Sequence, residues 1–417
     1  MVLSRFWLIT FILPFSQSSS LFERENFVGL RDRTIIDSAA NSFIHNQQNV
    51  TDDYYEYLTA CRKKNSNTLF THSGRKCEKG IQVALGRFRN AVNETGWGIL
   101  EVETFDGIDE VTQAFAAGLL EGILTRQLIT YHFRNTIKEM CVGEEEYCKK
   151  LFAYLSKNLR WISRIINEKT ETDIYWKQVN LTFAQLTGMN YGYLKKASDL
   201  YKPAVSFELT PIYMIQLAGE FIDLGKIFGK NETDAGHCSG LVKLAPNNVD
   251  LFIAHVTMSG YETMNRILKF YKFAFDKEIV PGYATSFSSY PGALTSMDDF
   301  VLASSGLAII ETTINIFNQS LYDAVRTERQ LHCWIRSIIA TKLAVTAKQW
   351  MQIFARYNSG TYNNQWSVVD YKLFKPKEEL PTNNLLWMLE QAPYAIFTFS
   401  HFLCFPLKIA INLHTFR

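Results

Sequence analysis

The chain has 417 residues, 47% of them hydrophobic and 14% aromatic, and 43 Lys and Arg against 41 Asp and Glu leave a formal charge of +2. That much apolar matter buries a sizeable core and excludes disorder as the main state. A small net charge without basic blocks gives no footprint for nucleic acid, and the absence of a fixed-period repeat excludes a solenoid.

The elements follow in chain order. Residues 1–20, MVLSRFWLITFILPFSQSSS, place Arg5 before an apolar run and end in small polar residues, the layout of a secretory signal; the run is too short to span a bilayer. N-x-S/T sequons at Asn49, Asn93, Asn180, Asn231 and Asn318 agree with export and glycosylation, so a secreted or lysosomal glycoprotein is expected. From residue 108 to about 229 apolar residues recur at three- and four-residue steps, which predicts helices, the last starting at Thr210-Pro211. After Gly236 the period moves towards two. CSGLVKLA, VDLFIAHVT, DFVLASSGLAIIETT and QWSVVDYKLF read as strands, interrupted by two helical stretches, ETMNRILKFYKFAF and residues 333–356. The mixture predicts an α+β chain with antiparallel sheet.

Seven cysteines, Cys61, Cys77, Cys141, Cys148, Cys238, Cys333 and Cys404, are an odd number for an oxidising compartment, so at least one is outside an intramolecular bridge. Local spacing favours Cys141 with Cys148 and, less strongly, Cys61 with Cys77. No spacing fits a zinc site, so no metal and no cofactor is expected.

The hairpin from Cys238 carries the most local information. Pro246-Asn247-Asn248-Val249 puts two residues tolerant of positive φ at the centre of a tight turn. Pro246 then opposes Val249, and the register runs back to set Gly240 against His255 and Cys238 against Thr257 on one face. A thiol, an imidazole and a hydroxyl converge there; the plainer reading is a buried Cys beside a hydrogen-bonded His.

GHCSGLVKLAPNNVDLFIAH, SSYPGALTSMDDFVLASSGLAIIETT and ARYNSGTYNNQWSVVDYKLF with LLWMLEQ resemble the phospholipase B-like, or laminin-ancestor, family, as do AAGLLEGILT and YWKQVNLTFAQLTG upstream. The resemblance implies an N-terminal nucleophile hydrolase, a four-layer αββα sandwich with a helical N-terminal segment. It divides the chain into a signal at 1–20, a helical segment at 21–237, a nucleophile-bearing antiparallel-sheet segment at 238–391 and an apolar tail at 392–417. Family chains continue past Gln391 in another pattern, so the C-terminal part of the core is expected to be missing here. The tail carries no clean membrane span, and no stable membrane anchor is expected.

Carried over residue by residue, Cys238 is similar to the family nucleophile, exposed when the precursor cuts itself between His237 and Cys238. A terminal Cys gains an α-amine, pKa about 8, that accepts the thiol proton near neutral pH. His255 matches the family histidine, though the following Val256-Thr257-Met258 departs from its polar-Thr-Trp run. Asn364 is the candidate oxyanion donor and Asn363 the less favoured neighbour; a turn between helix and strand is the plainer reading of both. The implied activity is hydrolysis of fatty acyl esters of glycerophospholipids, a lipid substrate. An amidase acting on N-acylated lipids or peptides, and a non-catalytic secreted glycoprotein, are the alternatives.

Overall fold

The computed structural model describes residues 9–12, 54–194, 200–230, 238–296, 300–393, 395–400 and 411–412. After the short β1 (Ile9–Ile12) come β2 (Glu56–Arg62), β3 (Leu69–Ser73), β4 (Ile81–Ala91) and β5 (Trp97–Thr104). Along β5 half-buried and buried residues alternate strictly, the period of a sheet covered on one face. The cover begins with α1 (Glu110–Leu124), whose first turn is held by the Asp109 carboxylate accepting from the Thr112 N–H. There follow α2 (Arg126–Thr136), α3 (Glu145–Lys169) and α4 (Ile174–Leu194). Gly118 and Gly122 of α1 face Gly188 and Gly192 of α4 so closely that a Cβ at Gly118 would overlap the Gln185 carbonyl. The two helices therefore pack backbone to backbone, and a larger residue at either pair would force them apart.

α5 (Pro211–Gln216) starts as expected, with Thr210 accepting from the Tyr213 N–H and Pro211 in the first turn. The helix expected to run on from it breaks, and α6 (Glu220–Phe228) begins anew. At the break Gly219 lies against the Tyr362 ring, where a Cβ would come within 2.6 Å of a ring carbon.

The remaining elements are β6 (Ser239–Leu244), β7 (Leu251–Thr257), β8 (Arg266–Lys272), β9 (Ala284–Ser289), β10 (Phe300–Ala303), β11 (Leu307–Thr313), α7 (Cys333–Leu343), α8 (Ala347–Phe354), β12 (Asn364–Asp370), β13 (Leu386–Gln391), β14 (Ile396–Ser400) and β15 (Ile411–Asn412). A long sheet runs β14-β13-β12-β11-β10-β9-β8-β5-β4-β2-β3, antiparallel but for β5 with β8, and a short one runs β1-β7-β6-β15. Alternation along β11 sorts the layers. Leu307 and Ile309 pack with Trp350 and Phe354 of α8, whereas Ala308 and Ile310 pack with Val242, Leu251 and Ile253 of β6 and β7. Helices α7 and α8, the long sheet and the short sheet thus stack in three layers, an α+β architecture.

Three sequence expectations need correction. Residues 56–104 lie within the segment expected to be helical but form β2 to β5. ETMNRILKFYKFAF, expected helical, contains strand β8 instead. Its buried positions include Lys269 on one face and Arg266 on the other, and their polarity hides the period of two. Lys269 is satisfied by Glu121 at 2.7 Å, and Arg266 lies over the Trp97 and Tyr290 rings. Finally, residues 396–400, within the apolar tail set apart from the sheet-bearing segment, pair as β14 with β13.

Cys61 with Cys77 and Cys141 with Cys148 are bridged. Cys238 and Cys333 are reduced, and Cys404 lies outside the described residues.

Candidate active site

The β6–β7 hairpin has the register read from the sequence. Gly240 pairs with His255 and Ser239 with Val256. Asn247 and Asn248 both adopt left-handed backbone, φ 58° and 55°, the conformation that matches a two-residue turn to the twist of its strands. One residue before β6, Cys238 faces Thr257 when that register is extended. Val242 and Ile253 fix the inner face of the hairpin by packing against β11, and alternation places Gly240, Cys238, His255 and Thr257 on that same face. The side-chain-free Gly240 leaves room between thiol and imidazole.

His255 is buried, and its Nδ1 lies 3.3 Å from the Thr257 hydroxyl. Burial lowers its pKa to about 4; the Glu311 backbone pulls the other way and the Arg266 charge adds to the lowering. The ring is therefore neutral at pH 5 as at pH 7, able to donate or accept but not to act as a fixed cation. Cys238 is half-buried. His237, the other side of the expected cut, lies outside the described residues.

Asn364 is fully buried, and neither atom of its amide has a hydrogen-bond partner among the described residues. It opens β12 two residues before Trp366, which packs with the α7–α8 layer, so alternation turns it away from the hairpin. The structure brings His255 and Thr257 together, the continued register sets Cys238 opposite Thr257, and alternation puts Asn364 on the other face. At the same end of the long sheet the positions on the hairpin side are Thr312 and Gln365, paired across β11 and β12. Gln365 Nε2 donates to Glu390 at 2.7 Å.

Asn363 belongs to a different arrangement that sequence reasoning missed. Its Nδ2 donates to Asp223 at 3.1 Å and to the Gly360 carbonyl at 2.8 Å, and its Oδ1 accepts from Gln391. Gln391 also donates to the Thr361 carbonyl and accepts from Arg336, whose other donors reach Leu331 O, Phe354 O and Ser359 Oγ. Glu220 accepts from the Cys333 N–H at the start of α7 and from the Thr361 hydroxyl. Burial pushes the Glu220 carboxyl up to about 7, with the Thr361 bond and then the Arg336 charge opposing it. This network holds the loop before β12 in an improbable shape, with Tyr357, Gly360 and Tyr362 all at positive φ. The available signal was a lone Glu and Asp on the otherwise apolar helix around EFIDL.

Of the sequons, Asn93 and Asn318 are exposed, Asn180 is half-buried inside α4, and Asn49 and Asn231 lie outside the described residues. Among the described residues no cluster of His, Cys, Asp and Glu is arranged to hold a metal, and no helix is long and apolar enough to cross a membrane.

Comparison with known proteins adds to this geometry. The profile of the family described as Phospholipase B matches residues 84–399, running past Gln391 into β14. A Caenorhabditis elegans protein provisionally named phospholipase B-like 3 is 49% identical over 348 residues, 81% of this chain and 59% of that one. Phospholipase B-like 2 of the same organism, also a provisional name, is 43% identical across 90% of this chain and 63% of its own length. Its human namesake is 39% identical across 75% and 55%. The chain thus spans about three fifths of the length of the curated relatives it matches.

Proposed function

The chain belongs to the phospholipase B family, and from that premise we propose that it is a carboxylic ester hydrolase releasing fatty acyl chains from glycerophospholipids through a Cys238 thioester. What supports this reading is the β6–β7 register, which pairs Gly240 with His255 and, continued, sets Cys238 opposite Thr257, whose hydroxyl lies 3.3 Å from His255 Nδ1. The three stacked layers fit an αββα sandwich of the N-terminal nucleophile kind, with the second helix layer as the proposed addition. Two disulfides fit a secretory route to the cell exterior or the lysosome.

Maturation comes first in the proposed mechanism. The Cys238 sulfur attacks the His237 carbonyl carbon, the C–N bond breaks as the thioester forms, and the freed nitrogen takes the thiol proton. Water then hydrolyses the thioester, leaving His237 with a carboxylate and Cys238 with a free α-amine. That amine next accepts the thiol proton while sulfur attacks a substrate ester. The lysolipid alcohol departs with the proton, and a second water releases the fatty acid. Neutral His255, steadied by Thr257, donates a hydrogen bond to the substrate or orients the thiol. Gln365, on the hairpin side of the long sheet, replaces Asn364 as the proposed amide donor to the oxyanion.

The test is incubation of the purified chain with a diacyl phosphatidylcholine and separately with an N-acyl ethanolamine. Free fatty acid from the first, absent with Cys238→Ala, supports the esterase; amine released from the second alone would replace it with an amidase. A thiol-directed acyl probe that labels neither the chain nor its Cys238→Ala variant would leave a non-catalytic glycoprotein.

A further inference from the structure

On the opposite face of the long sheet from the hairpin, β8 to β11 and helix α7 line a cleft whose free space, about 610 Å³, includes open solvent at its mouth. Its walls are chiefly apolar, with Phe273, Phe287, Val301, Ile309, Ile338 and Trp350 among them. Three polar side chains that also line it are almost wholly buried: Lys342 is 7% exposed, Gln185 4% and Trp366 4%. Gln185 Nε2 and Trp366 Nε1 have no hydrogen-bond partner among the described residues. The Lys342 ammonium forms no ion pair there either; its neighbours are the rings of Phe273 at 5.1 Å and Phe275 at 5.7 Å.

A buried ammonium without a counter-ion and a buried N–H without an acceptor each destabilise a protein. All three groups are donors, so what the cleft lacks is an acceptor, and the cationic member favours an anion. The carboxylate whose charge reaches Lys342 is Glu110, itself ion-paired with Lys177, and the buried Glu121 is engaged by Lys269 and Tyr271. Apolar walls of this extent around a few converging donors are the composition of a small-molecule site.

We propose that this cleft binds a long-chain fatty acid, the carboxylate meeting Lys342 with Gln185 and Trp366 as flanking donors, and the hydrocarbon lying along the aromatic wall. The site stands apart from the thiol and does not rest on the esterase reading.

The experiment titrates the full chain with the fluorescent fatty acid 11-(dansylamino)undecanoic acid, then displaces it with palmitate or with hexadecanol. Expected are saturable binding, displacement by palmitate, and at least tenfold weaker palmitate binding in Lys342→Met with hexadecanol little changed. Lys342→Met keeps the stem volume and removes an unpaired charge, so its thermal melt is expected at or above that of wild type. Val301→Trp, which fills the cleft from the sheet side, is expected to abolish binding as a second reading of the same site. Equal palmitate affinity in wild type and Lys342→Met overturns the proposal, as does absence of saturable binding. Loss of binding in Cys238→Ala would move the ligand to the hairpin and overturn it too.

Discussion

The hairpin around Cys238 and the loop before β12 lie at one end of the same long sheet and are built on opposite terms. Around the loop four of the five Arg336 N–H groups and both Gln391 N–H groups are used, and Glu220 and Asp223 accept from hydroxyls and N–H groups around them. In the hairpin the imidazole meets the Thr257 hydroxyl and feels the Glu311 backbone, its Nε2 has no hydrogen-bond partner among the described residues, and the continued register sets a half-buried thiol beside it. A satisfied network fixes a shape; an unsatisfied one keeps bonding capacity for something else. Residues 357–363 of the segment YNSGTYNNQW are thus chiefly a fastening between α6, α7 and β12, while Asn364 and Trp366 at its end keep polar atoms without a partner among the described residues.

The strongest way to break this contrast is to remove a partner from each side. Arg336→Ala takes its donors away from Leu331 O, Phe354 O, Ser359 Oγ and Gln391 Oε1 and is expected to cost about 3–5 kcal/mol, whereas His255→Gln is expected to cost under about 1 kcal/mol. Urea unfolding measures both, and comparable losses would erase the distinction. The next largest effect is catalytic. Gln365→Ala is expected to lower kcat for fatty acid release by about 10²–10³, the usual worth of an oxyanion donor, while Asn364→Ala stays within a few-fold of wild type; the reverse order would restore Asn364.

A smaller effect separates the two regions by pH. Glu220 has a folded pKa near 7 against 4.5 for the free group, so its contribution is full below pH 4.5 and lost as pH rises through 7. His255 is pushed down to about 4, so its contribution is present above 6.5 and lost as pH falls towards that value. Glu220→Gln is therefore expected to gain on wild type between pH 5 and pH 8 in thermal melts. Parallel curves would mean that Glu220 titrates as an ordinary carboxyl. The smallest effect is at the surface: peptide mapping is expected to find glycan on Asn93 and Asn318 and none on Asn180, whose sequon threonine, Thr182, is buried in α4 and bonded to the Gln178 carbonyl.

What could be read from the sequence follows from how local each determinant is. The hairpin register was legible because Asn247-Asn248 fixes the turn and alternation does the rest. β8 was not, since Lys269 faces inward and its partner Glu121 lies 148 residues away. The Arg336 network was invisible for the same reason: its members come from α6, α7, the loop and β13, and only the fold assembles them. Asn364 was assigned by its position in a motif, and one step of strand alternation was enough to turn it to the other face.

The most direct test of the nucleophile assignment needs no substrate: N-terminal sequencing of purified wild-type chain and Cys238→Ala. A fragment beginning at Cys238 in the wild type, and none in the variant, is the expected result. The same cut in both proteins would show that an outside protease made it, and an intact wild type with a reactive Cys238 would show that the thiol works without a terminal amine; either contradicts the proposed maturation.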